Sequence, residues 1–229
     1  EILIGLVGSE MCIRDSTSEE FLSIIDGYEQ NDFPLDNLVF DMGWHTYTAR
    51  TGTGHAGSRS WTGYTWERER IPDPEALIAE VHRRGVTVSL NDHPHDGIRP
   101  HEEMYGAFMK DMGADPAKPL LFDLGDRKYM ETFFKHAHHT TEDMGVDFWW
   151  LDWQQSLYDA KLGGLSNTWW LNYVFFSNME KNRDVRPMLY HRWGGLGNHR
   201  YQIGFSGDTS ISWACLLYTS PSPRDRSVS

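Results

Sequence analysis

Along the chain, short apolar runs alternate with longer stretches whose apolar positions recur every three or four residues. Residues 17–30 place Phe21, Leu22, Ile24, Ile25 and Tyr28 on one helical face, and Thr17 and Glu20 have capping-box spacing. Leu38-Val39-Phe40 reads as a short buried strand ending at Asp41. Residues 42–70 show little periodicity and carry Trp44, Trp61 and Trp66 among glycines. A loop of that length at a strand end is where function tends to collect. Pro72-Asp73-Pro74-Glu75 opens a second helix, with Asp73 as N-cap and Pro74 at the first position, and the pattern continues to Gly85. Residues 86–90 alternate like a strand and empty into Asn91-Asp92-His93-Pro94-His95-Asp96-Gly97.

Residues 101–112 are expected to be helical, and Leu120-Leu121-Phe122 is a third short strand candidate, ending at Asp123. Residues 126–144 form a helical pattern with Met130, Phe133, Phe134 and Ala137 inward, closed by Gly145. The run Val146-Asp147-Phe148-Trp149-Trp150-Leu151 then delivers Asp152 at its tip, ahead of Trp153 and the polar pair Gln154-Gln155. A helix over 167–181 follows. Met188-Leu189-Tyr190 leads to His191-Arg192, and Ile203-Gly204-Phe205 leads to Ser206-Gly207-Asp208.

Strand and helix thus alternate about six times, which predicts a parallel α/β sheet. Polar residues recur at the strand C-termini: Asp41, Asp92-His93, Asp123, Asp152, His191-Arg192 and Asp208. In a (β/α)8 barrel these ends converge on the active-site face. A doubly wound sheet would show a Gly-rich phosphate turn after its first strand, and none follows Asp41. The expected fold is therefore an incomplete (β/α)8 TIM barrel of about six βα units.

The 229 residues suffice for one large domain, and ten Trp within an aromatic content of 14% supply more flat aromatic surface than a core requires. A net charge of −12 argues against a nucleic-acid partner or an anionic membrane surface. Residues 1–16 and 215–229 do not continue the patterns beside them and are expected to be non-native ends resembling translated sequencing adapters, leaving 17–214 as the partial barrel. Both Cys lie in those ends, so the interior offers no disulfide or thiolate chemistry.

Two carboxylates at strand ends, Asp152 and Asp208, suggest glycoside hydrolysis, in which one acid attacks the anomeric carbon or activates water and the other protonates the leaving oxygen. The alternative for each is structural: Asp152 capping a turn, and Asp208 forming an Asx turn. Trp149, Trp150, Trp153, Phe205 and Trp213 surround both positions and could stack on sugar rings, or serve as core. His93-Pro94-His95 is a second candidate, a His-x-His pair of the kind that holds a hydrolase metal, or a polar turn. His136, His138 and His139 are expected to be solvated on their helix. Arg192 is placed near the acids, whether it binds a sugar or pairs with Asp152 or Asp208.

Taken in order, these features resemble the catalytic barrel of glycoside hydrolase family 31, the retaining α-glycosidases, over residues 34–214. Trp150-Leu151-Asp152 resembles the family's nucleophile motif, and Phe205-Ser206-Gly207-Asp208-Thr209 its acid/base motif. Arg192 and Asp41 match sugar-binding positions, and Ile71-Pro72-Asp73-Pro74 matches a segment ahead of the second strand. The resemblance implies Asp152 and Asp208 as catalytic residues in a double displacement. Asp41, His93, Trp150, Trp153, Arg192 and Phe205 are the expected substrate contacts, and an α-linked saccharide or glycoconjugate the expected substrate. It implies no metal or organic cofactor. Gln154-Gln155 stand where many members have Asn-Glu, Phe205 where Trp is common, and His93 where Asp is usual. Those departures surround the sugar and suggest a branch near the α-N-acetylgalactosaminidases. The chain ends before the family's substrate-binding His, so this polypeptide alone is expected to be an inactive fragment. The remaining alternatives are a metal-dependent barrel hydrolase using His93 and His95, and a catalytically dead sugar-binding fragment.

Overall fold

The computed structural model describes residues 16–46, 61–152, 160–191 and 197–204. Within them, five parallel strands form one sheet, β1 (Asn37–Phe40), β2 (Thr87–Asp92), β3 (Phe148–Leu151), β4 (Leu189–His191) and β5 (Ile203–Gly204), in the order of the chain. All four pairings are parallel and the sheet curls into half a barrel. Consecutive strands lie side by side, with α-helical crossovers from β1 through β4 as a barrel requires, while the described residues between β4 and β5 hold only a 3-10 turn over Asn198–Arg200.

The helices form where the sequence punctuates them. α1 (Ser18–Gln30) carries a complete capping box, Thr17 accepting from the Glu20 amide and Glu20 accepting from the Thr17 amide. α2 (Pro74–Arg83) starts with Asp73 accepting from the Ala76 amide at 2.9 Å and ends before Gly85 at φ +79°. α3 (Tyr105–Met112) is shorter than the pattern predicts, because residues 101–104 are taken up in turns. α4 (Arg127–Phe133) and α5 (His139–Asp143) are one helical rod joined through a widened π turn over Phe134–His138. Gly145 stops it at φ +116°, where an added Cβ would lie 2.9 Å from Ile78 of α2. α6 (Asn167–Asn182) begins on the Ser166 hydroxyl.

Register fixes which side chains face the helices. Phe40, Leu90, Trp149 and Leu189 point outward and are fully buried beneath them. Phe40 stacks on Phe21 of α1 at 4.1 Å, and Trp149 stacks on His138 at 3.9 Å. Ile78, Val81, Phe133, Ala137, Leu171 and Phe175 complete this layer. The alternate positions, Val39, Ser89, Asn91, Phe148, Trp150 and Tyr190, face the barrel interior.

Leu120-Leu121-Phe122 is not a strand, which corrects the expected third βα unit. β3 already occupies the edge of β2 that such a strand would need. Leu121 points outward at 74% exposure, while Phe122 packs edge-on against Tyr129 and Phe133 as a plug over α4. No helix among the described residues is long and apolar enough to cross a membrane.

Candidate active site

The interior face at the C-terminal strand ends collects Asp41, His93, Trp150 and Asp152. Asp41 follows β1, and its carboxylate accepts from the Met42 amide at 2.7 Å, which starts a short 3-10 turn over Met42–Trp44. His93 follows β2 and is 2% exposed. Its Nε2 lies 3.6 Å from Asp152 Oδ2. Asp152 is one step beyond β3 and 4% exposed, and its amide donates to the Asp92 carbonyl at 3.0 Å, so the sheet ladder runs through to the acid. Trp150, two residues earlier and on the same face, stacks on Tyr190 of β4 at 5.1 Å with the planes 21° apart.

A second layer holds these tips from outside. Trp44 donates from Nε1 to the Asn91 carbonyl at 2.8 Å. Residues 61–66 return alongside residues 44–46 through an antiparallel bridge between His45 and Trp66. The Thr62 hydroxyl donates to the His93 carbonyl, and the Trp61 ring stands edge-on to the His93 imidazole at 5.4 Å. The described parts of the long loop thus pack against the strand ends, where the sequence suggested function would sit.

Three expectations need correction. Asp92 does not face the interior with His93; neighbouring strand residues alternate, and its carboxylate points toward the helices, onto Tyr64 and His138. His138 is not solvated but 1% exposed, on the sheet-facing side of its rod with Phe134, Ala137 and Thr141. Asp123 is not at a strand end, and its carboxylate pairs with Lys161. His136 and His139 are likewise half-buried rather than solvated, held against Asp111 and Asn178.

The His-x-His pair does not converge on one site. His93 is buried beside Asp152, whereas His95 sits in the Pro94–Asp96 turn and is exposed. Among the described residues no group of three His, Cys, Asp or Glu is placed to hold a metal ion. Trp153, Arg192, Phe205 and Asp208 lie outside the described residues. Sequence reasoning missed Tyr64 and the Asp92–His138 pair; the one available signal was that His138 follows Ala137 and precedes Thr141 on the apolar stripe of the helix.

An acid buried at the C-terminal end of a barrel strand, beside an aromatic wall, invites comparison with known barrel enzymes. Residues 3–223 match the profile of the glycosyl hydrolases family 31 TIM-barrel domain. The chain belongs to that family. An α-xylosidase from Lactiplantibacillus pentosus, XylQ, is 32% identical over 76 residues, which is 33% of this chain and 8% of that protein. Among solved structures, a family 31 α-xylosidase from a soil metagenome, complexed with xylose, superposes with a TM-score of 0.59 at 19% identity, covering 89% of this chain and 32% of its own. A cycloalternan-forming enzyme from Listeria monocytogenes, in complex with a pentasaccharide substrate, superposes with a TM-score of 0.56 at 17% identity over 85% of this chain and 22% of its own. This family 31 chain therefore spans about a third or less of these relatives. Neither they nor the match to the family domain support the α-N-acetylgalactosaminidase branch.

Proposed function

We propose that this chain is part of the catalytic barrel of a retaining α-glycosidase. Asp152 is the nucleophile. Its carboxylate attacks the anomeric carbon of an α-linked sugar, the glycosidic C–O bond breaks, and Asp208 gives its proton to the departing oxygen. Asp208 then takes a proton from water, whose oxygen displaces Asp152 from the sugar and restores the original anomeric configuration. Two inversions at one carbon require carboxyl groups roughly 5–5.5 Å apart.

The observation that carries this reading is the placement of Asp152, buried on the interior face one step beyond β3, with the His93 imidazole 3.6 Å away. Trp150 offers an aromatic wall beside it, and Asp41 and His93 stand at neighbouring strand tips where sugar hydroxyls would lie. Trp153, Arg192 and Phe205 are assigned to the same subsite from their positions in the sequence. No metal or cofactor enters the reaction in this reading.

The substrate is an α-linked saccharide or glycoconjugate. A panel of α-xylosides, α-glucosides and N-acetyl-α-galactosaminides on the full-length protein identifies the sugar. On the substrate so found, Asp152→Asn is expected to lower turnover by about a thousandfold or more, because an amide cannot form the ester intermediate. A loss of only a few-fold would remove Asp152 from the nucleophile role.

A further inference from the structure

One buried assembly plays no part in that chemistry. Asp92 ends β2 facing the helices, and its Oδ1 accepts from the Tyr64 hydroxyl at 2.9 Å while its Oδ2 lies 2.9 Å from His138 Nε2. All three residues are 2% exposed or less. The His138 ring lies flat on Trp149, the planes 17° apart. Burying such a pair brings little net stability compared with apolar residues of the same size, so its use here is more readily geometric than energetic. Burial, with the Asp92 carboxylate adding to it, holds the Tyr64 hydroxyl well above its ordinary pKa of 10, and it stays a donor at every working pH.

What the clamp fixes is the tip of β2. The Asp92 carbonyl accepts from the Asp152 amide at 3.0 Å, and the next residue, His93, places its Nε2 3.6 Å from the Asp152 carboxylate. Tyr64 belongs to the same segment whose Thr62 hydroxyl holds the His93 carbonyl and whose Trp61 ring abuts the His93 imidazole. On the other side, His138 stacks on Trp149, and Trp149 is three residues before Asp152 on β3. We propose that Asp92, clamped between Tyr64 and His138, is a positioning residue that sets the carboxylate of Asp152 for attack, acting through its own carbonyl and through His93. This rests on the reading of Asp152 as nucleophile.

The test compares Tyr64→Phe, Asp92→Asn, Asp92→Ala and Asp152→Asn in the full-length protein, measuring kcat, KM and thermal unfolding on the best α-glycoside of the panel. None of the clamp residues reaches the interior face and only His93 carries their displacement to the sugar, so KM should rise by a smaller factor than kcat falls. Displacing the nucleophile should lower kcat by about tenfold or more in Tyr64→Phe, with Asp92→Asn milder than Asp92→Ala. Tyr64→Phe removes only an oxygen, and its unfolding midpoint should fall by no more than a few degrees. If Tyr64→Phe and Asp92→Asn turn over within about twofold of wild type while Asp152→Asn is inactive, the clamp proposal falls and the nucleophile reading stands. If Asp152→Asn keeps its turnover, the reading beneath the proposal falls with it. A loss of kcat matched by a rise in KM and a collapse of the unfolding midpoint would make the clamp a stability element and overturn the proposal.

Discussion

Gly63 faces the His45 imidazole so closely that a Cβ there would fall 2.1 Å from Nδ1, so the chain at residue 63 admits no side chain. His45 is 1% exposed, its ring edge-on to Trp44 at 5.1 Å and its Nδ1 3.0 Å from the Thr46 carbonyl. Burial lowers its pKa below 6.5, against the opposing pull of the Thr46 carbonyl and the carboxylates of Glu102 and Asp92. The sign follows from proton counting. Below 6.5 the unfolded chain takes up a proton that the folded chain resists, so folding stability contributed by this residue is present above 6.5 and is lost as pH falls through the folded pKa. Unfolding midpoints measured between about pH 7.5 and 5.5 should fall for the wild type and fall less for His45→Gln. Parallel curves would show that His45 is not the group responsible. Nothing in the sequence around His45 announced this environment, because Gly63 lies across a loop and its contact is tertiary. The place of Asp152 at a buried strand tip was legible from the aromatic and branched residues before it, but that run alone fits a turn-capping acid as well as a catalytic one. Asp92 was legible as polar but not in direction, which depends on register.

At the scale of elements, the caps were the most reliable signal. Thr17 and Asp73, the two caps read from the sequence, each accept from a backbone amide of the first helical turn. Asp73 is the cleanest case, since Pro74 already lacks an amide and Asp73 takes the Ala76 amide. Replacing Asp73 with Ala should cost about 1 kcal/mol of folding stability, read as a shift in the denaturant midpoint at unchanged slope. No shift would mean that the turn at 71–73 holds the helix start without the cap. The strands β1 to β4 formed where the sequence placed short apolar runs, three residues long at Leu38-Val39-Phe40 and Met188-Leu189-Tyr190 and longer ahead of Asn91 and Asp152. Leu120-Leu121-Phe122 failed although runs of the same length formed β1 and β4, because β3 already pairs with the edge of β2 that it would need. The widened turn at Phe134–His138 has no Pro or Gly to mark it, so periodicity read it as ordinary helix.

At the scale of the whole molecule, the parallel order of the strands brings residues from positions 41, 93 and 152 to one face, though they are separated by more than a hundred residues of chain. Alternation of strand and helix made that architecture legible before any coordinates, whereas the composition bounded only the partners. A net charge of −12 repels polyanions and places no such penalty on a neutral saccharide. The central claim is that Asp152 becomes covalently attached to the sugar. The most direct test is to treat the full-length protein with an activated fluorosugar of the preferred α-glycoside, which forms the intermediate faster than water releases it, and to map the adduct by peptide mass spectrometry. The account predicts one sugar per chain, on the peptide carrying Asp152, and no label on Asp152→Asn. Label on another carboxylate, or inactivation without any adduct, would contradict it.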